Sequence, residues 1–302
     1  MGLPIASKYR GRIGLVLAGL LLVPILVYCG AAGAAGARKG PRHPTPTPTP
    51  IALPADITVP SYPAGSMPLK DGERLTFQAS WLGIPAASAR FELHRDPKSA
   101  ALWDEEIWLE TNPAVDLLYR MRDYLREHVE ATSLQPQDMF IRQQENKRHN
   151  EFKVVFDRGA GLVRMERRNS RGAISHKEFI SANPFGPLSG AVMALSQKLE
   201  PGDELVFDVF TGTSRYVFGF HVDGREKLTV PAGTFEALKI TPGVKYLSAG
   251  EMRNDAQDTQ VWVSDDSRHL PLRIQAQAFI GWVRADLVSV ETAAQTGPAA
   301  AQ

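Results

Sequence analysis

The sequence has almost no cysteine. Its only one in 302 residues, Cys29, lies inside an apolar run, so the folded region can hold no disulfide, thiolate metal site or thiol nucleophile. It has no excess of charge. With 34 Lys+Arg against 33 Asp+Glu the net charge is +1, which gives no electrostatic footprint for nucleic acid. It also has no Gly-x-Ser-x-Gly elbow and no His-Glu-x-x-His helix, so no hydrolase nucleophile or zinc helix is specified and no cofactor is implied. Strands do not alternate with long helices, which excludes a doubly wound sheet.

At the N-terminus, Lys8, Arg10 and Arg12 precede an apolar run from Ile13 to Cys29, and a Gly/Ala series follows to Ala37. That is the layout of an export signal over residues 1–37, and the run is also long enough to stay as a signal anchor touching the membrane through residues 13–29. Lipidation at Cys29 is opposed by bulky Tyr28, where such sites want a small residue. Either way the remainder is exported, to the periplasm or cell envelope. Residues 38–68, with Pro44-Thr-Pro-Thr-Pro-Thr-Pro50 and Pro54, Pro60 and Pro63, have the composition of a disordered spacer, and residues 293–302 of a disordered tail.

Residues 69–292 read as one β domain. Leu75, Phe77, Ala79 and Trp81 alternate with polar residues up to a turn at Gly83-Ile-Pro85, and Ala87, Ala89, Phe91 and Leu93 return. A strand at Leu102–Glu110 leads to Asn112-Pro113, which starts a short helix expected to run to Met121. Strands follow around Tyr124–Ala131, Met139–Glu145, Glu151–Asp157 and Leu162–Arg168, in a region whose basic character suggests solvation. Leu188, Ala191, Val192, Leu195 and Leu199 recur at helical spacing, predicting an amphipathic helix over Pro187–Leu199. From Glu204 the signals are hairpins: Tyr216–Val222 turning at Asp223-Gly224 into Arg225–Val230, then Pro231-Ala-Gly233 into Thr234–Thr241. Thr259–Ser264, a polar turn Asp265–His269 expected in solvent, Leu272–Ala278 and a last strand to Val290 complete a six-strand meander. The fold class is mainly β: a single antiparallel curved sheet or partial β-barrel with two short helices on its concave side.

Gly72-Glu-Arg-Leu-Thr, Leu118-Tyr-Arg with Arg122-Asp123, Pro201-Gly202-Asp203, Val230-Pro-Ala-Gly-Thr-Phe235 and Val261-Trp-Val-Ser-Asp-Asp266 before Leu270-Pro-Leu form a recognisable set. On them the stretch Leu69–Glu291 resembles the bacterial envelope family called domain of unknown function 3108. That resemblance implies an envelope location and a β-rich fold, and brings no catalytic residue. A looser architectural similarity is to the half-barrel lipoprotein and lipid carriers of the periplasm.

Asp265, Asp266 and His269 have the chemistry of a carboxylate–imidazole set, but Asx residues in a hairpin turn ordinarily serve the turn. Arg120, Arg122 and Asp123 could meet an anionic headgroup or be a solvated face. Trp81, Trp103, Trp108, Trp262 and Trp282 suit core or sheet-face positions. The sequence therefore points to a non-catalytic, monomeric envelope module for an apolar ligand or lipidated partner, with Trp81, Tyr119, Arg122, Leu195 and Trp262 as candidate ligand contacts. The alternatives are a tethered protein-interaction module, whose partner would be an envelope protein, and a hydrolase using Asp265, Asp266 and His269.

Overall fold

The computed structural model describes residues 49–212, 214–248, 251–254, 258–277 and 281–292. The export segment, the first part of the spacer and the tail lie outside the described residues, as does Ala278.

The chain forms β1 (Glu73–Trp81), β2 (Ile84–Asp96), β3 (Ser99–Thr111), α1 (Pro113–Asp116), β4 (Arg122–Glu130), β5 (Pro136–Glu145), β6 (Arg148–Asp157), β7 (Leu162–Asn169), β8 (Ile174–Ile180), β9 (Pro184–Phe185), α2 (Pro187–Ser196), β10 (Glu204–Phe210), β11 (Arg215–Val230), β12 (Gly233–Ser248), β13 (Glu251–Asn254), β14 (Thr259–Ser264), β15 (Pro271–Gln277) and β16 (Trp282–Thr292). Among the described residues the strands belong to one sheet in the order β8-β7-β6-β5-β4-β3-β2-β1-β16-β15-β14-β12-β11-β10-β9, with β13 on β12. Every pairing between strands is antiparallel except β9 with β10. The expected single curved sheet with two short helices is what forms, and its ladder is open.

Period-two alternation builds the concave face. Leu75, Phe77 and Ala79 of β1, Ala87, Ala89, Phe91 and Leu93 of β2, and Trp103, Ile107 and Leu109 of β3 are all buried. The middle strands do the same with Leu125, Val129, Met139, Phe152, Val154, Phe156, Val163 and Met165, so this region is solvated on one face only. The two ends of the sheet meet through side chains. Ser181 Oγ, just after β8, donates to Asp208 Oδ2 of β10 at 2.5 Å, and Phe179 and Phe210 approach at 5.2 Å. Arg215 pairs with Asp208 at 2.6 Å, both nearly sealed from water.

Several boundaries differ from expectation. The β1–β2 turn is Leu82-Gly83, both at positive φ (51° and 80°), so Ile84 and Pro85 already belong to β2. Asn112 caps α1 as expected, its side chain accepting from Val115 N at 2.9 Å, but α1 is a single turn. The next residues cannot sustain it, because Leu117 and Leu118 find nothing to bury against while Met121 is drawn into the core. Asp223-Gly224 is not a turn: β11 runs through it as one 16-residue strand, with only a register shift against β12 between Val222 and Gly224. Two expected strands thus merge, and β8, β9, β10 and β13 are additional. The second helix stops at Ser196, and Gln197 is already extended.

The chain from Ile51 to Met67, assigned by sequence to the spacer, lies against the domain. Ile51 N donates to Glu178 O at 2.8 Å, Tyr62 OH accepts from Val206 N at 2.8 Å and stacks on Phe207, and Gly65 N donates to Ser196 Oγ.

Candidate functional site: an apolar cavity under α2

Helix α2 crosses the concave face and does not fill the space beneath it. Between α2 and strands β10, β11, β12, β14 and β15 lies a cavity of about 120 Å³. One buried water needs roughly 10–15 Å³, so this is a chamber and not a packing flaw. The helix side mixes large and small residues, with Leu188, Val192 and Leu195 beside Gly190, Ala191 and Ala194. The opposite wall is aromatic and aliphatic, with Phe207, Phe218, Phe220, Val222, Ile240 and Val263. No lining residue is ionisable or carries a polar side chain, which suits hydrocarbon and leaves no group to do acid–base or nucleophilic chemistry.

The helix is seated by a carboxylate. Glu127 of β4 accepts the backbone N–H of Leu188 at 2.8 Å and of Ser189 at 3.0 Å, occupying the positive end of α2. The residue before the helix is Gly186, where a Cβ would lie 2.4 Å from that carboxylate. Burial pushes the Glu127 carboxyl up to about 7 against these hydrogen bonds. At the other end of α2, His269 Nδ1 contacts Leu195 O at 3.0 Å, so His269 is buried and not in solvent.

Of the sequence candidates, Leu195 lines the cavity; Trp81, Tyr119, Arg122 and Trp262 do not. Trp81 and Tyr119 pack against the main core. Arg122 is tied to Asp116 at 2.5 Å, which holds the Asp116 carboxyl below its usual range. Trp262 sits between lining residues Val261 and Val263 on β14, and its Nε1 donates to Glu226 at 2.5 Å. Asp265 pairs with Arg225 at 2.8 Å, and Asp266 accepts N–H groups of Arg268 and His269. The three turn residues therefore act as a turn and do not converge on a reaction centre.

Sequence reasoning missed Leu205, Phe207 and Val209 because β10 was not assigned, although their own alternation marks it. It also missed the buried acids, whose signal was a carboxylate falling in the apolar phase of a strand. Asp123, which the sequence offered as a headgroup contact or part of a solvated face, is one: it is buried, and burial first, then Glu145, push it up to about 8. It lines a second cavity of about 30 Å³ with Gln143 and Thr211, room for a few waters. On the outer face His128 stands between Asp104 and Asp138 in cross-strand register, each imidazole nitrogen 2.9 Å from a carboxylate oxygen. Both ring nitrogens are thereby engaged by side chains of the neighbouring strands.

Residues 76–288 match the family model described as protein of unknown function DUF3108. The chain belongs to the DUF3108 family. No curated protein matches it. Among solved structures it is similar to a beta-barrel-like protein of domain of unknown function DUF1849 from Brucella abortus, at 8% identity and TM-score 0.49, covering 73% of this chain and 97% of that one. It is also similar to a candidate lipoprotein from Parabacteroides distasonis, at 9% identity and TM-score 0.34, covering 76% and 100%. This DUF3108 chain thus takes its family from the sequence match and its functional reading from the cavity.

Proposed function

We propose that the domain is a non-catalytic carrier or receptor for an apolar ligand, held as a hydrocarbon chain in the cavity under α2, in a protein exported to the cell envelope. The observation that carries this reading is the chamber of about 120 Å³ with wholly apolar lining. A hydrocarbon chain lying there would gain dispersion contacts with the lining side chains and leave water. The basic-then-apolar N-terminal sequence supports export, and the family supplies no competing activity.

The test is titration with N-phenyl-1-naphthylamine, a lipophilic dye that brightens in apolar surroundings. Saturable binding is expected, and Leu195→Asp should weaken it by placing a carboxylate on the wall. The variant's fold is checked first by circular dichroism. A folded Leu195→Asp protein that binds the dye as wild type does would remove the cavity from consideration.

A further inference from the structure

The cavity is not the only unsatisfied apolar surface. At one end of the sheet, Leu117 and Leu118 after α1 are 88% and 83% exposed, and the β1–β2 turn presents Leu82 and Ile84 at 59% and 68%. These connections are fastened to each other. Asn112 N donates to Ala86 O at 2.9 Å and its Nδ2 to Pro85 O at 2.5 Å, while Leu82 N donates to Trp282 O at 3.2 Å, bringing half-exposed Trp282 alongside. The leucines are held out on an ordered loop: Leu118 N and Tyr119 N both donate to Val115 O. Five large apolar side chains therefore project from one end on backbone that needs no further ordering.

Cations surround the base of this tip. Arg120 and Asn146 exchange hydrogen bonds at 2.8 and 2.9 Å, which brings the β5–β6 turn, with exposed Lys147 and Arg148, beside the leucines. Among the described residues neither Arg120 nor Lys147 is in an ion pair, and exposed Arg148 lies 3.8 Å from Glu145. Of the nearby acids, Asp116 is bound to Arg122 at 2.5 Å, and Glu110, 3.9 Å from the same guanidinium, is partly offset by it.

We propose that this end of the domain docks on a lipid bilayer with anionic headgroups, Leu117, Leu118 and Ile84 entering the acyl boundary and Arg120, Lys147 and Arg148 meeting phosphates. The shape selects a bilayer over a protein. The apolar side chains are spread over three separate connections, Leu117 and Leu118 on one, Leu82 and Ile84 on the next and Trp282 on the third, a set that a fluid phase accommodates, whereas a protein partner would need a matching pocket for each. Trp282, 42% exposed, is the amphipathic ring expected at headgroup depth. Each buried large aliphatic side chain favours the bound state by roughly tenfold or more, and each cation near an anionic surface by roughly fivefold. The inference is independent of the cavity and its ligand.

Residues 13–29 are apolar enough to attach the full chain to vesicles by themselves, so the readout must be local. In a Cys29→Ser background, a nitrobenzoxadiazole dye is placed at Leu118→Cys or, as a control at the opposite end of β2, at Lys98→Cys. Vesicles of phosphatidylcholine with or without 30% phosphatidylglycerol carry spin-labelled lipid as quencher, a composition chosen by order of magnitude for a moderately anionic surface. The expected result is strong quenching at position 118 in anionic vesicles, little at 98, and a several-fold loss on adding Arg120→Glu and Lys147→Glu. Absence of quenching at 118, or equal quenching at both positions, overturns the proposal. So does quenching that is indifferent to phosphatidylglycerol, or a blue shift at 118 that grows with protein concentration without vesicles, which would mark pairing of copies instead.

Discussion

Glu105 on β3 and Glu127 on β4 face each other in register, both fully buried, and neither oxygen of Glu105 has a hydrogen-bond partner. Leu93 and Met139 flank them on β2 and β5, and α2 carries no ionisable residue to offset them. Two carboxylates in that setting cannot both ionise cheaply, and burial together with Glu127 pushes Glu105 well above the usual range.

Stability should therefore fall as pH rises. Glu127 goes from 4.5 to about 7 on folding and Asp123 from 3.8 to about 8, so between those values the folded chain binds more protons than the unfolded one. That stabilisation is full below the unfolded values and is lost as pH rises through the folded ones, about 3 kcal/mol for Glu127 alone. The melting temperature is expected to be higher at pH 5.5 than at pH 8.5, and Glu105→Gln should narrow the gap. A melting temperature that climbs over this interval would contradict the assignment of these acids as neutral in the fold.

Filling the cavity should separate binding from stability. Ala191→Phe projects into the chamber beside Leu195, and is expected to abolish dye binding while leaving stability unchanged within about 1 kcal/mol. Calorimetry and dye titration on the same sample read the two effects. A stable variant that still binds the dye places the ligand elsewhere.

Glycine is required where it touches the helix cap. Gly186→Ala would put a Cβ 2.4 Å from Glu127, forcing that carboxylate off Leu188 N and Ser189 N, at a cost of roughly 2–4 kcal/mol in urea unfolding. Gly233→Val acts by a different route: φ is +142°, which a β-branched side chain resists, for roughly 1–3 kcal/mol. Wild-type stability in either variant would show that the close approach or the turn is drawn wrongly.

Asp208→Ala should be among the most damaging single changes. It leaves the guanidinium of Arg215, 2% exposed, without its carboxylate and frees Ser181 from the joint between the sheet ends. Loss of one partner of a buried pair costs roughly 3–5 kcal/mol. Replacing both, as in Asp208→Leu with Arg215→Met, should recover part of that in the same unfolding assay.

Strands were legible in the sequence wherever one face is buried, because alternation reports burial directly. Leu75-Phe77-Ala79 and Leu272-Ile274-Ala276 are examples. What failed was punctuation. Asp223-Gly224 has the chemistry of a hairpin turn, but Val222 and Leu228 both reach the buried face, and pairing with β12 carries the strand past it as a bulge. Asn112-Pro113 did start a helix, yet its length was decided by the absence of anything for Leu117 and Leu118 to pack on, which local pattern cannot report. The site was legible through the helical stripe Leu188, Ala191, Val192, Leu195 and Leu199, all of which line the cavity, though only Leu195 was singled out as a ligand contact. The chamber is a difference between two surfaces, the apolar stripe of α2 and the aromatic wall of β10 and β11, and one sequence shows each surface without the gap.

The pairing of β1 with β16 sets the order in which this domain can be made. Trp81 lies against Val283 and Glu73 against Thr292, so the centre of the sheet joins residues about two hundred positions apart. As the chain is synthesised N-terminus first, β1 to β8 can assemble as one meander, but β1 keeps an open, apolar-faced edge until the last strand arrives. The slow event is a single long loop closure, and until it happens the nascent domain offers a template for other chains. A chain ended before Trp282 would keep that edge permanently, and insoluble aggregation, more than lost binding, is the phenotype such a truncation would produce.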